Sequence, residues 1–342
     1  MNSMILWELK KIFKCKTGLI VFALFIFICG VMSFLKPTLE TENPYRNDQY
    51  ELVEDTRPKK EIADEKFNEK IKQIEQMANT YVNDNSINKI IVISRDHLRF
   101  MKCKEYKDVD FYKAMDHRVD HPFMSILMVI IFVLIFSNIY TDERVSGVDN
   151  IILSSKNKLK ALYSKLALAI ILPIVIYGLY LAMAFLVTVL QYGMPVNGGL
   201  EAFRIVDAGI FLKHAFTING YLLLKIGTMT LVFMSIAVFS SFFSFISTNS
   251  LASISATLIF IGFGKVCTLI KFLPNSLLNI VTKGNYVDLL FYPDRFVGMY
   301  AGDVLILGKS LDLINLCNGI LIGMIFIGVG ISIFTFKKIL TK

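Results

Sequence analysis

Charge is scarce in this 342-residue chain: Asp, Glu, Lys and Arg make up only 19% of it, against about 25% in a soluble domain. Cysteine is scarce as well. Cys15, Cys29, Cys103, Cys267 and Cys317 include no C-x-x-C pair, which argues against a cysteine zinc site. The four histidines form no H-E-x-x-H, so a zinc-protease helix is excluded. No G-x-x-x-x-G-K-[ST] phrase occurs, and without it the chain has no loop of the kind that cradles nucleotide phosphates. The nearest approach, GDVLILGKS over Gly302 to Ser310, holds five residues between its glycines rather than four. Internal repeats are absent.

Long apolar runs are what the chain has in quantity. It is 54% hydrophobic, with a mean hydropathy of +0.56. Crossing about 30 Å of hydrocarbon takes roughly 20 apolar residues in a helix. Six stretches qualify: 18–35, 122–140, 166–190 (with Pro173 as a point of bending), 221–246 (Lys225 near one end), 250–273 and 313–336. They are apolar on all faces, which suits helices that satisfy their own backbone in lipid and excludes the alternating strands of an outer-membrane barrel. The first run follows Lys10, Lys11, Lys14 and Lys16. It is longer than a signal peptide's core and no A-x-A-like site follows it, so it reads as an uncleaved first helix. The fold class expected is an all-α integral membrane protein with six transmembrane helices and a small helical extracytoplasmic domain between the first two.

Charge sets the expected orientation. With the N-terminus in the cytoplasm, segments 1–17, 141–165, 247–249 and 337–342 lie inside and carry twelve Lys or Arg against four Asp or Glu. Segment 36–121 lies outside, with sixteen basic and eighteen acidic residues. Short basic loops stay on the cytoplasmic side, so both termini are expected there, in a multi-pass plasma-membrane protein. The net charge of +8 follows from this topology, and nothing resembles a nucleic-acid footprint. Of the cysteines only Cys103 lies clearly in the outer region, so no disulfide framework forms there.

Segment 36–121 starts loosely. A helix follows from about Lys59 to Val82, with Ile62, Phe67, Ile71, Ile74, Met77 and Tyr81 along one face. A second helix, about Ser86 to Met115, is expected to pack back on it. Just after it, DHRVDH places His117 and His121 four apart with Asp116 and Asp120 beside them, a spacing that on a helix would put two metal ligands on one face. No third partner stands at a fixed spacing, so no metal site is assigned. Segment 274–312 is moderately polar and reads as short re-entrant or interfacial helices. Lys265 and Lys271 stand in the fifth run. Intramembrane lysines are functional candidates, and Lys265, the deeper of the two, is the candidate for a transport pathway, whereas Lys271 is expected to snorkel to the interface.

Segment 141–165 joins two spans. Glu143 and Gly147 are four apart, as on one helix face, and Val148, Ile151, Ile152, Leu159 and Leu162 make the stretch amphipathic. A short helix lying at the membrane surface is expected, apolar face inward and charges outward. Here the chain resembles the ABC type-two permease family, the membrane subunits of ATP-driven exporters. The resemblance rests on the E-x-x-x-G phrase of Glu143 and Gly147, on Ile151-Ile152-Leu153, and on Lys156, Lys158, Lys160 and Lys165 leading into the third span. It rests also on an amphipathic start with Glu8, Leu9, Lys10 and Lys11 in an ELKK phrase and Lys16 before the first span. Family members usually follow the leucine-rich run with proline and arginine; Ser154, Ser155 and Lys156 stand here instead, which leaves the substrate subfamily open.

The resemblance implies a permease subunit that pairs with a second one, the same or different, in the lipid membrane. It implies coupling to separate cytoplasmic ATPase subunits that hold ATP and magnesium, through Glu143, Gly147, Ile151, Leu153 and Lys156, and an N-terminal interfacial helix carrying Glu8, Lys10 and Lys11. The chain itself would bind no cofactor and catalyse no reaction. An amphipathic cargo such as an antimicrobial or toxic peptide fits the apolar helices and outer domain. The alternative reading is a non-transporting membrane sensor or scaffold that displays the outer domain. A membrane enzyme would need a constellation of its own, and none is visible.

Overall fold

The structure is a computed structural model that describes residues 2–46, 49–81, 85–270, 272–306 and 308–340. Helix accounts for 73% of the chain. Among the described residues six helical stretches are long and apolar enough to cross a membrane, and they contain α2 (Lys16–Phe34), α6 (Pro122–Asn138), α9 (Lys158–Tyr192), α10 (Ile218–Ile246), α11 (Ser250–Cys267) and α14 (Leu313–Leu340). α6 starts at Pro122, where the missing N–H costs nothing, and α9 passes through Pro173 as one helix.

α10 is the central post and packs on α6, α9, α11 and α14. Its Met229, Val232, Phe233 and Ile236 are fully buried. Small polar groups bring it close to α6: the hydroxyls of Ser137 and Ser240 lie 2.9 Å apart, and Ser244 accepts the N–H of Tyr140 at 3.0 Å. The outer helices are the reverse. α2 exposes Leu19, Phe22 and Phe27, α11 exposes Leu258, Ile259 and Phe263, and α14 exposes Phe326 and Phe334. Apolar faces this extensive are ruinous in water and favourable against hydrocarbon.

Because the six helices alternate in direction, two ends result. At one end lie α1 (Asn2–Lys14), α7 (Thr141–Val145), α8 (Val148–Ser154) and the turn at 247–249. At the other a polar cap is built from three connections. The first holds a hairpin of β1 (Pro44–Arg46) and β2 (Leu52–Glu54), then α3 (Lys59–Ala78), α4 (Asn85–Phe100) and α5 (Asp110–Asp120). The second, after α9, holds 3-10 turns at Ala202–Arg204 and Gly209–Phe211. The third holds α12 (Asn275–Gly284), α13 (Tyr286–Phe291), a 3-10 turn at Pro293–Arg295 and the antiparallel hairpin β3 (Asp303–Ile306)–β4 (Lys309–Asp312). Ion pairs sew the three together: Lys113 to Asp207 at 2.6 Å, Lys213 to Asp312 at 2.7 Å, and Lys89 to Asp303.

The cap departs from the sequence reading in four places. α3 ends at Ala78, so Tyr81 is 95% exposed instead of completing the apolar face, while Ile62, Phe67, Ile71 and Ile74 are buried. The expected helix 86–115 is two helices. Its break, residues 101–109, lacks apolar period, and Asp108 accepts the N–H of Asp110 at 2.9 Å, a local turn that starts α5. Both hairpins went unread, because strands of three or four residues carry too short an alternation to register. The Gly302–Ser310 phrase is part of the second hairpin, which accounts for its glycines without phosphate chemistry.

Arg118 fastens the cap to the spans. It is fully buried in α5; its Nη1 donates to Thr188 Oγ1 at 2.6 Å and its Nη2 to Gln191, with Ser33 O beside it. The guanidinium thereby sits at the C-terminal ends of both α2 and α9, where helix dipoles favour a cation.

Candidate functional site

Two places gather chemistry, one at each end. At the first, α1 is amphipathic in an unusual sense: Glu8 is buried while Leu6, Trp7 and Phe13 are 67%, 55% and 48% exposed and Lys10 faces out. The reason lies in α9. Lys165 is fully buried and cannot stand alone. Its ammonium donates to Glu8 Oε1 at 2.6 Å, to Glu143 Oε1 at 2.7 Å and to the carbonyl of Ile139 at 3.2 Å. Lys11 donates to the same Glu143 oxygen at 2.6 Å. Two carboxylates and two ammoniums thus form a neutral cluster joining α1, α7 and α9. Burial pushes the Glu8 carboxyl above its usual range, against the pull of Lys165.

This placement corrects two expectations. The charges of segment 141–165 do not all face outward: Glu143 is 2% exposed, because Lys165 needs its charge. Nor do Glu143 and Gly147 share one helix face. Gly147 stands between α7 and α8 at φ +70 and breaks the helix there. What remains on the surface mixes apolar and basic side chains with the exposed Asp142. Ile151 is 70% exposed, Val145 69%, Lys156 is exposed and Leu153 half-buried. Arg144 donates to the carbonyl of Ser247 at 2.7 Å, tying α7 to the α10–α11 turn. Lys165 was legible as the basic residue before the third span; its pairing with Glu8 was not, because 157 positions separate them.

At the other end lies a cavity of about 1000 Å3. α5 supplies Asp116, His117 and Asp120, its junction with α6 supplies His121 and Pro122, the chain just after α2 supplies Lys36, and the third connection supplies Lys283, Tyr292, Asp294 and Arg295. Behind it Lys225 of α10 is fully buried and meets three carboxylates: Asp116 at 2.7 Å, Asp120 at 2.8 Å and Asp294 at 2.5 Å. Its ammonium also lies 5.4 Å from the centre of the Tyr221 ring. Sequence reading placed Lys225 near one end of its apolar run and named no partner for it. The signal available was the four-residue spacing of Asp116 and Asp120, which puts both on one face of α5.

His117 and His121 also line this cavity, their ring centres 4.7 Å apart. No cluster of three or more His, Cys, Asp or Glu positioned for a metal ion occurs among the described residues. Lys265 lies near the C-terminal end of α11, 49% exposed on its side chain, and binds both oxygens of Asp288 at 2.7 and 2.9 Å. It therefore lies outside the cavity lining. Lys271 lies outside the described residues. All five cysteines are free.

No family model, curated protein or solved structure matches the chain. The class that the fold defines is a mostly helical chain with six helices, among the described residues, long and apolar enough to span a membrane.

Proposed function

We propose that this chain is the permease subunit of an ATP-driven exporter, lying in the plasma membrane with both termini cytoplasmic. A second permease subunit completes the pathway, and separate ATPase subunits supply the hydrolysis. The observation that carries this reading is the buried cluster of Glu8, Lys11, Glu143 and Lys165. A partner that grips the exposed Val145–Lys156 surface cannot move α7 without moving α1 and α9, because one ammonium holds all three. A loose connecting loop would need no such lock. The phrases of residues 8–16 and 143–165 that resemble the type-two permeases are the same segments that the cluster joins. In this reading Ile151, Leu153 and Lys156 meet the ATPase, Gly147 sets the angle between α7 and α8, and Glu143 transmits inward.

The test uses Ile151→Asp and Lys156→Glu, both on exposed positions. The expected outcome is loss of ATPase co-purification at an unchanged melting midpoint. Full retention of the ATPase by both variants would remove the coupling role from this surface.

A further inference from the structure

α1 has two unlike sides. On one, Glu8 and Ile12 are buried. On the other stand Leu6, Trp7, Lys10, Phe13 and Lys14, all exposed. These five recur at steps of three and four residues (6, 10, 13 and 7, 10, 14). At 3.6 residues per turn they share about a third of the helix circumference. Aromatic and aliphatic side chains grouped on one exposed face mark an interaction surface.

The neighbouring element says what covers it. Only Cys15 separates α1 from α2, and the first turns of α2 expose Leu19, Ile20 and Phe22, a surface that suits hydrocarbon. The exposed side of α1 therefore lies where a lipid-facing span begins, at the level of the headgroups. Tryptophan, with an apolar body and one N–H, is favoured at that depth. Charge then selects the lipid. Lys10, Lys14 and Lys16 are exposed, and none has an ion-pair partner among the described residues. Glu8 is the only acidic residue before Glu40, and it is buried against Lys165. The outward surface of this segment thus carries three cations and no anion. Lysine stems can lie along apolar surface while their ammoniums reach phosphates, and an anionic leaflet attracts such a segment.

We infer that the exposed side of α1 lies in the headgroup layer and gathers anionic phospholipid, with Leu6, Trp7 and Phe13 against the lipid and Lys10, Lys14 and Lys16 on its phosphates. This goes beyond the exporter reading, and its test includes no ATPase and no cargo, so that failure of one leaves the other standing. Trp7 is the only tryptophan of the chain, so indole fluorescence reports this helix alone. The full-length chain is placed in phosphatidylcholine nanodiscs containing increasing mole fractions of either phosphatidylcholine or phosphatidylglycerol brominated in its acyl chains, since bromine quenches indole only at close range. The expected result is quenching by both, with phosphatidylglycerol effective at a mole fraction about fivefold lower, the worth of one lysine near an anionic surface. Lys10→Gln, Lys14→Gln and Lys16→Gln combined should remove that preference at an unchanged melting midpoint. Absence of quenching by either lipid, as a second protein chain lying over this side would give, overturns the placement. Equal quenching by the two lipids, or a preference that the triple variant keeps, overturns the choice of an anionic lipid.

Discussion

Lys165 shows how one residue can dictate the position of several others. Its ammonium has no water to fall back on, so α1 turns Glu8 inward and α7 turns Glu143 inward to meet it. Breaking a buried pair by removing one partner costs about 3–5 kcal/mol. Lys165→Met, which strands both carboxylates, is expected to lower stability by about that amount. The check is the melting midpoint in detergent, with Lys10→Met, on the exposed face, as a control that leaves it unchanged. His97 gives a pH dependence. Leu212 O can only accept, so the ring nitrogen 2.7 Å from it, Nε2, carries the hydrogen, and buried Nδ1 has no partner. Burial holds the His97 pKa below its usual value. The unfolded chain therefore binds the proton first, and the stability from a neutral His97 is complete above about pH 6.5 and lost as pH falls below it. Amide protection in α4 should drop on going from neutral to mildly acid pH, and less so in His97→Gln; an identical drop in both would exclude His97 as the cause.

At the scale of elements, the six spans were legible because continuous apolar length is a one-dimensional property. The elbow between α1 and α2 was not. A Cβ on Gly18 would lie 2.1 Å from the carbonyl oxygen of Ile12, so only glycine allows the two helices to meet there. Gly18→Ala is expected to destabilise the chain by about 1–3 kcal/mol, as overpacking does, and to free α1 for limited proteolysis; an undisturbed α1 would contradict the elbow. Gly147 is constrained differently. A Cβ there meets nothing within 4 Å, so Gly147→Ala carries only the left-handed backbone cost of about 1–2 kcal/mol, felt at the α7–α8 junction. The cap was the least legible part. Its hairpins are short and its contacts long-range: Arg204 lies over Phe67 at 4.2 Å and Lys70 bonds the carbonyl of Arg204 at 3.0 Å. Pairings between residues more than a hundred positions apart leave no local period to read.

For the whole molecule the informative quantity is the distribution of apolar surface. The outer faces of α2, α11 and α14 are apolar, the cap is polar, and the opposite end mixes exposed apolar side chains with lysines, so hydrocarbon is the surrounding that the fold suits. The orientation proposed from charge makes a labelling prediction. Cys103 is part of the cap and Cys15 joins α1 to α2. A membrane-impermeant maleimide is expected to label Cys103 in intact cells and Cys15 only after permeabilisation; the reverse would invert the topology and move the cavity to the cytoplasmic side. The candidate sites were half legible. Segment 141–165 was visible from its phrase and amphipathic pattern, but the inward turn of Glu143 depended on α1 and α9. The carboxylate wall was hidden because Asp116, Asp120 and Asp294 come together only when the third connection folds over α5.

The central claim is that a separate ATPase drives this chain through the surface next to Glu143. The most direct measurement is to solubilise the tagged full-length chain from its native membrane, purify it gently and assay what accompanies it for ATP hydrolysis. The account predicts a co-purifying ATPase whose hydrolysis Glu143→Gln uncouples from transport. A chain that emerges from intact native membranes without any ATPase would contradict it.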